Sequence, residues 1–371
     1  MNNKRRRFFI TSTLAPEVVD NYKLSVATSN FSFNLASGGA FDKVYSILPD
    51  TFGGVLKDEI INNTRYEVVY CTRLRKCDRF FRVLAVLIEQ VRLFSIIPRD
   101  SSVWFYNLGD LGFLFFILIK LFKRSVLLNV IVLDYTPPVS IWERNRFYVR
   151  LINRANGIIS LSTSSVFKCK NKAILAGVVP HSTGEFPRID KVNKKFILSG
   201  MLSEVIAQIS MVLESFSRLT ECELHITGFA KDDTIIRQYA EKYSNIFYHG
   251  RVSYADYLNI LHDCSYQLST RDENAPENNC NFPSKVMESL LHNRIVVTTI
   301  DYPQLGDVKY LKISSGVASF VDGIRSILEK PQEILKEYAN QSLKVKEMFS
   351  PEVWQQTMET IESYQEKNDN I

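Results

Sequence analysis

Short apolar runs alternate along most of the chain with longer stretches whose apolar residues recur at helical spacing. In the first half, the runs at residues 7–11, 43–48, 66–70, 103–106, 126–133 and 157–162 predict strands. Between them, the helix-permissive stretch 30–41, the amphipathic stretch 80–94 and the segments 113–122 and 141–155 predict helices. The second half restarts the rhythm. Strands are predicted at 196–199 running into Gly200, at 223–227 ending at Gly228, at 246–248 ending at Gly250 and at 266–269, with helices at 206–219, 234–242 and 254–261. Such alternation favours parallel sheets with crossover helices. A doubly wound sheet takes its ligand outside the carboxyl ends of its strands, so the residues just past those ends are where chemistry is expected.

Residues 178–195 interrupt the pattern with two prolines, a glycine and an aperiodic charged run. The expected organisation is therefore an N-terminal Rossmann-like domain over 1–180, a linker over 181–195 and a second Rossmann-like domain over 196–349. A C-terminal helix over 350–371 is expected to cross back onto the first domain. Ser350 as N-cap, Pro351 at the first helical position and Glu352 in the first turn mark its start. A length of 371 residues agrees with two domains, since one hydrophobic core rarely serves so long a chain.

Charge adds one alternative. The net charge of +5 is modest, but Lys4, Arg5, Arg6 and Arg7, and then Arg73, Arg75 and Lys76, crowd into the first half. They read either as solvated faces with a frayed terminus or as an attraction to an anionic membrane surface. Nucleic acid is excluded as a partner, because the chain lacks a strong basic stripe interleaved with aromatics. The run FLFFILIKLF at 113–122 is about ten residues, against the ~20 needed to span a bilayer, so it predicts either a core helix or one whose apolar face touches a membrane. The apolar stretch before Thr11 is too short for a secretory segment. The six cysteines form no CxxC pair and no ligand set, and the five histidines form no local signature. The expected setting is cytoplasmic, peripheral at the inner membrane face at most, with no metal and no cofactor.

The segment 269–291, STRDENAPENNCNFPSKVMESLL, concentrates the chemistry. A strand ends at Ser269, a polar loop follows, and a helix begins near Pro283 and Ser284, presenting unpaired backbone N–H groups and the positive end of a dipole. Lys285 in the first turn opposes that dipole, which points to an anion between them. Glu288, three residues on, shares its face and can accept two hydrogen bonds from a vicinal diol. Arg271, just past the strand, suits a phosphate held bidentately. The blander alternative is an exposed Lys285–Glu288 pair and a surface Arg271.

At these residues the chain resembles a known family. PSKVMESL at 283–290, followed by HNRIVVTT at 292–299, is similar to the helix and following strand of retaining GT-B glycosyltransferases of the glycosyltransferase group 1 (family 4) type. FILSG at 196–200, ELHITGF at 223–229, NIFYHGRVSYADYLNIL at 245–261 and LSTR at 268–271 extend the likeness in order and spacing, over roughly residues 195–330. FYNL at 105–108 and IVLDYTPP at 131–138 echo it more weakly.

The resemblance implies an α/β GT-B architecture, two Rossmann-like domains with a deep interdomain cleft. It implies a donor site for a UDP- or GDP-sugar at Gly200, Arg271, Ser284, Lys285 and Glu288. Glu288 would bind the ribose, Lys285 and Arg271 would neutralise the diphosphate leaving group, and Gly200 would admit close backbone approach. Asp134 would orient the acceptor or act as base, and Ser37, Gly38 and Gly39 would form an acceptor-side loop. The acceptor implied is a glycan or lipid-linked glycan in surface polysaccharide synthesis. Two departures stand out. The first glutamate of the family's pair is Cys280 here, with Glu273 and Glu277 nearby, and the Lys-Gly or Arg-Gly pair after the first C-domain strand is replaced by Met201 and Leu202. They support a second reading, a catalytically weak GT-B protein that binds or scaffolds another transferase. A sugar-nucleotide epimerase would need acid/base groups the sequence does not place.

Overall fold

The computed structural model describes residues 5–13, 26–48, 59–61, 64–70, 79–133, 135–138, 143–164, 166–180 and 184–369. The chain divides into two compact units, one of Met1–Thr183 with Phe349–Ile371 and one of Gly184–Met348.

In the first unit the strands are β1 (Arg6–Thr11), β2 (Lys43–Leu48), β3 (Glu59–Ile61), β4 (Thr64–Tyr70), β5 (Ser101–Tyr106), β6 (Leu127–Val132), β7 (Gly157–Ser160) and β8 (Lys172–Ile174). They lie in the order β3-β4-β2-β1-β5-β6-β7-β8, parallel throughout except for β3 against β4. Helices α1 (Val26–Ser37), α2 (Arg79–Ile96), α3 (Phe113–Phe122) and α4 (Arg144–Ile152) belong to the same unit. Strands β5, β6 and β7 are buried along their whole length, which is why they read as continuous apolar runs rather than alternating ones.

The second unit holds β9 (Lys195–Met201), β10 (Glu223–Phe229), β11 (Ile246–Gly250), β12 (Tyr266–Ser269), β13 (Ile295–Thr298) and β14 (Leu311–Lys312), all parallel in the order β11-β10-β9-β12-β13-β14. Its helices are α5 (Glu204–Ala207), α6 (Ile209–Phe216), α7 (Thr234–Lys242), α8 (Tyr254–Asp263), α9 (Ser284–Leu291), α10 (Val317–Leu328), α11 (Gln332–Tyr338) and α12 (Ser342–Phe349). Counted from the first strand, this is the 3-2-1-4-5-6 order of a doubly wound sheet, with its switch point between β9 and β12. Phe196 of β9 is fully buried, stacked on Tyr266 at 4.4 Å and met edge-on by Phe216 at 5.3 Å, so aromatic packing ties the two switch-point strands to α6. The single helix expected over 206–219 is two, broken at Gln208, which adopts the left-handed conformation at φ +43°.

The last helix, α13 (Pro351–Asp369), belongs to the first unit. The Ser350 hydroxyl accepts from the Val353 N–H at 3.4 Å, the cap its sequence predicts. Trp354 is fully buried, donates from Nε1 to the Gly177 carbonyl at 2.7 Å and meets Phe31 of α1 edge-on. Gly38 and Gly157 leave the room for it. A β-carbon on Gly38 would fall 2.3 Å from that of Pro351, and one on Gly157 would fall 2.1 Å from Cγ2 of Ile361.

Arg7 corrects the reading of the basic terminus. It is 2% exposed, and its Nε and Nη2 donate to the Glu362 carboxylate of α13 at 3.0 and 2.7 Å. It is a core ion pair, and it belongs neither to a solvated face nor to a membrane-facing one. Lys4, Arg73, Arg75 and Lys76 lie outside the described residues.

Candidate functional site

The switch point gathers most of the residues singled out in the sequence. Strand β9 ends in Ser199, Gly200 and Met201, beside β12 ending in Ser269. A buried polar chain ties these strands to α9. Gln267 Oε1 on β12 accepts from the hydroxyls of Ser199 on β9 at 3.3 Å and Ser289 on α9 at 3.2 Å, while its Nε2 donates to the Leu268 carbonyl. This network fixes α9 by satisfied hydrogen bonds rather than by shape alone.

Helix α9 starts where the sequence predicts, with Pro283 preceding its first residue, Ser284, whose side chain is exposed. Lys285 Nζ lies 2.7 Å from Glu288 Oε2, so the i,i+3 pair of the blander alternative does form. Its surroundings are more than a solvated helix face. The hydroxyl of Tyr254 donates to Glu288 Oε1 and that of Tyr257 to Oε2, both at 3.0 Å, and Lys285 Nζ sits 3.8 Å from the centroid of the Tyr257 ring. Tyr254 and Tyr257 lie one turn apart on α8, which the Ser253 hydroxyl caps by accepting from the Asp256 N–H. Burial, reinforced by the Glu288 charge, raises both phenols above their ordinary range, so both remain donors. Oε1 keeps a lone pair beyond Tyr254, whereas Oε2 already takes both Tyr257 and Lys285, so a vicinal diol finds one open acceptor and takes the other only if Lys285 turns to a bound anion.

Gly200 has φ +110°, and a β-carbon there would come 4.0 Å from Lys285 Cγ, which places the glycine beside the pair. Its neighbour across the ladder, Gly228 of β10, has φ +140°, and a β-carbon on it would lie 1.9 Å from the Gly200 carbonyl oxygen. The close approach recorded at Gly200 is therefore between strands.

Arg271 is 8% exposed, where the blander alternative has it at the surface. Its N–H donates to Thr299 Oγ1 at 2.8 Å, that hydroxyl donates back to the Arg271 carbonyl at 2.7 Å, and its Nη1 donates to Asn278 Oδ1 at 2.8 Å. Asn278 is anchored in turn to the carbonyls of Val205 and Asp272. The guanidinium is thus held just past the end of β12. Cys280 is buried at 1% exposure, Glu273 is exposed, and Glu277 lies in the 3-10 turn Pro276–Asn279. Asp134 lies outside the described residues. Gly38 of the expected acceptor-side loop gives the room that Pro351 occupies.

Solved structures match this chain along nearly its whole length. It is similar to an alpha,alpha-trehalose 6-phosphate synthase from Burkholderia multivorans, with a TM-score of 0.65 at 10% identity, covering 98% of each chain. It is similar to Anabaena HepE in complex with UDP and glucose, with a TM-score of 0.63 at 14% identity, covering 97% of this chain and 100% of that one. The chain has the GT-B fold. The GT-B likeness extends to TarM, with a TM-score of 0.56 at 14% identity over 76% of this chain and 58% of that one. No family profile matches the sequence, and no curated protein does.

Tyr254, Tyr257, Gln267 and Asn278 were not among the residues the sequence singled out. The tyrosines carried a signal, two phenols at i,i+3 opening a helix, but their target is 31 to 34 residues away and only the fold supplies it.

Proposed function

We propose that the chain is a glycosyltransferase that moves a sugar from a nucleotide diphosphate sugar to a glycan or lipid-linked acceptor, with retention, in surface polysaccharide synthesis. The observation that carries this reading is the carboxylate of Glu288, oriented by two tyrosine hydroxyls and Lys285 beside the switch point of a GT-B fold. In this reading Glu288 receives the ribose diol, and Lys285, the start of α9 at Ser284 and Arg271 take up the charge that grows on the diphosphate as the glycosidic bond breaks. Cations fixed in advance cost no reorganisation at that moment. UDP is the first donor base to test, because HepE was solved with UDP and with UDP-glucose. The protein would work from the cytoplasmic side, peripheral to the inner membrane, with Asp134 facing the acceptor.

The test is thermal unfolding with UDP, GDP, CMP and ADP, on the wild type and on Glu288→Ala. One uracil or guanine nucleotide should raise Tm of the wild type alone, since a ligand that binds only the folded state stabilises it by mass action. An equal shift in both proteins would remove Glu288 from the site and overturn the assignment. The second reading, a weakly catalytic GT-B partner protein, draws on buried Cys280 standing where the resemblance implies a carboxylate. It is favoured if the nucleotide sugar binds but is neither hydrolysed nor transferred across a panel of acceptors.

A further inference from the structure

Helix α2 is apolar on both sides. Inward, Gln90, Leu93 and Ile97 just past its end are at most 1% exposed. Gln90 locks α3 in place: its Oε1 accepts from the N–H groups of Leu114 and Phe115 at 2.8 and 3.1 Å, and its Nε2 donates to the Asp110 carbonyl. Those are donors that the first turn of a helix otherwise leaves unpaired. Outward, where a surface helix ordinarily turns charge to water, stand Leu84, Ile88 and Val91, 42%, 57% and 47% exposed. Their spacing of four and then three places them on one stripe.

The stripe continues onto α3. Phe94, three residues after Val91, meets the ring of Phe122 at 6.3 Å, and Leu121 and Phe122 are 57% and 63% exposed. Ile96, 43% exposed, closes the helix at the same end. From Leu84 to Val91 the stripe runs about 10 Å along α2, and Ser95, whose hydroxyl donates to the Val91 carbonyl, ends it. Apolar surface gathered in this way marks a docking site rather than scatter.

Charge identifies the occupant. The chain just past the two helices supplies Arg99 and Arg124, both exposed, linked through Ser125, whose hydroxyl donates to the Arg99 carbonyl at 3.0 Å. Lys123 sits 4.6 Å from the Phe94 ring centroid and donates to the Ile97 carbonyl at 2.6 Å, holding a third cation against the apolar edge. Asp100 is the acid beside them in sequence, and Glu89 is committed to Arg92 at 2.6 Å. An aliphatic stripe bordered by cations matches acyl chains below anionic headgroups. Among the described residues no helix is long and apolar enough to cross a membrane, so the contact this surface can make is in the interface plane.

We propose that the outward stripe of α2 and the tip of α3, bordered by Arg99, Lys123 and Arg124, form a docking surface for an anionic lipid bilayer. Of the basic terminus, Arg7 is held by Glu362, whereas Arg5 Nη1 donates to the Ser125 carbonyl at 2.7 Å and so lies beside these cations. The surface shares no residue with the donor site, so a protein that bound vesicles without answering to any nucleotide would keep this proposal and lose the other.

The experiment is sedimentation of the full chain with vesicles of phosphatidylcholine alone and of equimolar phosphatidylcholine and phosphatidylglycerol. The variants are Leu84→Ser/Ile88→Ser/Val91→Ser and Arg99→Glu/Arg124→Glu, all at exposed positions outside the donor site. The wild type should bind the mixed vesicles and lose binding as salt rises, and each variant should bind at least about tenfold more weakly while keeping the wild-type Tm. Failure of the wild type to bind anionic vesicles, or unchanged binding by both variants, overturns the proposal. So does a wild-type dimer in solution that the serine variant turns into a monomer without any effect on vesicles, which would make the face a contact between copies.

Discussion

The β-carbon that alanine would add at position 228 falls 1.9 Å from the carbonyl oxygen of Gly200 and 2.9 Å from its nitrogen, and the backbone there already has φ +140°. Both obstacles are backbone, so no side chain can swing away to relieve them. Gly228→Ala should destabilise the protein by roughly 3 kcal/mol or more, read as a fall in Tm, with the nucleotide response weakened because β9 must shift at Gly200. A wild-type Tm would show that the two strands can separate at no cost. Single residues were unevenly legible in the sequence. Glu288, Lys285 and Gly200 lie within or beside short motifs, and the structure brings those three together. Gly228 closes a run just as Gly250 does, and nothing local distinguishes the crowded glycine from the open one. Arg7 read as one basic residue among four because its partner lies 355 positions away.

Helices α8 and α9 are joined at both ends. At their starts Tyr254 and Tyr257 reach Glu288; at their finishes His262 Nε2 and His292 Nδ1 are 2.8 Å apart, with Phe186 against the His292 ring and Arg294 donating to the carbonyls of both histidines. One imidazole must accept, so the pair tolerates at most one added proton, and burial opposes even that. Burial first, and then the neighbouring His262, pushes His292 down to about 4, and His262 is lowered by burial and by Arg294. The unfolded chain therefore binds the proton more readily than the folded one. The stability this contributes is complete above the ordinary imidazole value of 6.5 and is lost as pH falls from there toward about 4. Across that window Tm should drop in the wild type and drop less in His292→Gln; parallel curves would assign the acid sensitivity elsewhere. At this scale the alternation of runs was legible and its interruptions were not. The helical period of residues 206–219 passes through Gln208 without a break, and β14, two residues long, is too short to carry a pattern.

For the chain as a whole, the informative bond is the one between its first strand and its last helix. Glu362 receives Arg7, the Trp104 indole at 3.0 Å and the Ser102 hydroxyl, so donors from β1 and β5 converge on one carboxylate of α13. Glu362→Ala leaves a buried guanidinium with only the half-exposed Glu359 at 3.7 Å and should cost about 3 kcal/mol in unfolding by denaturant, whereas a change within about 0.5 kcal/mol would mean that Glu359 or water replaces the lost partner. The start of α13 was readable from Ser350 and Pro351, but its attachments were not, because Gly38, Gly157 and Gly177 announce nothing about what fills the space beside them.

That bond also sets an order of events on the ribosome. The carboxylate that neutralises Arg7 is made 355 residues after it, which at about 5–20 residues per second is a wait of roughly 20–70 s. The unit encoded in the middle of the chain, Gly184–Met348, has all of its residues in hand before then. Vectorial synthesis thus completes the second half first and leaves the opening strand with a charge it cannot bury until α13 emerges.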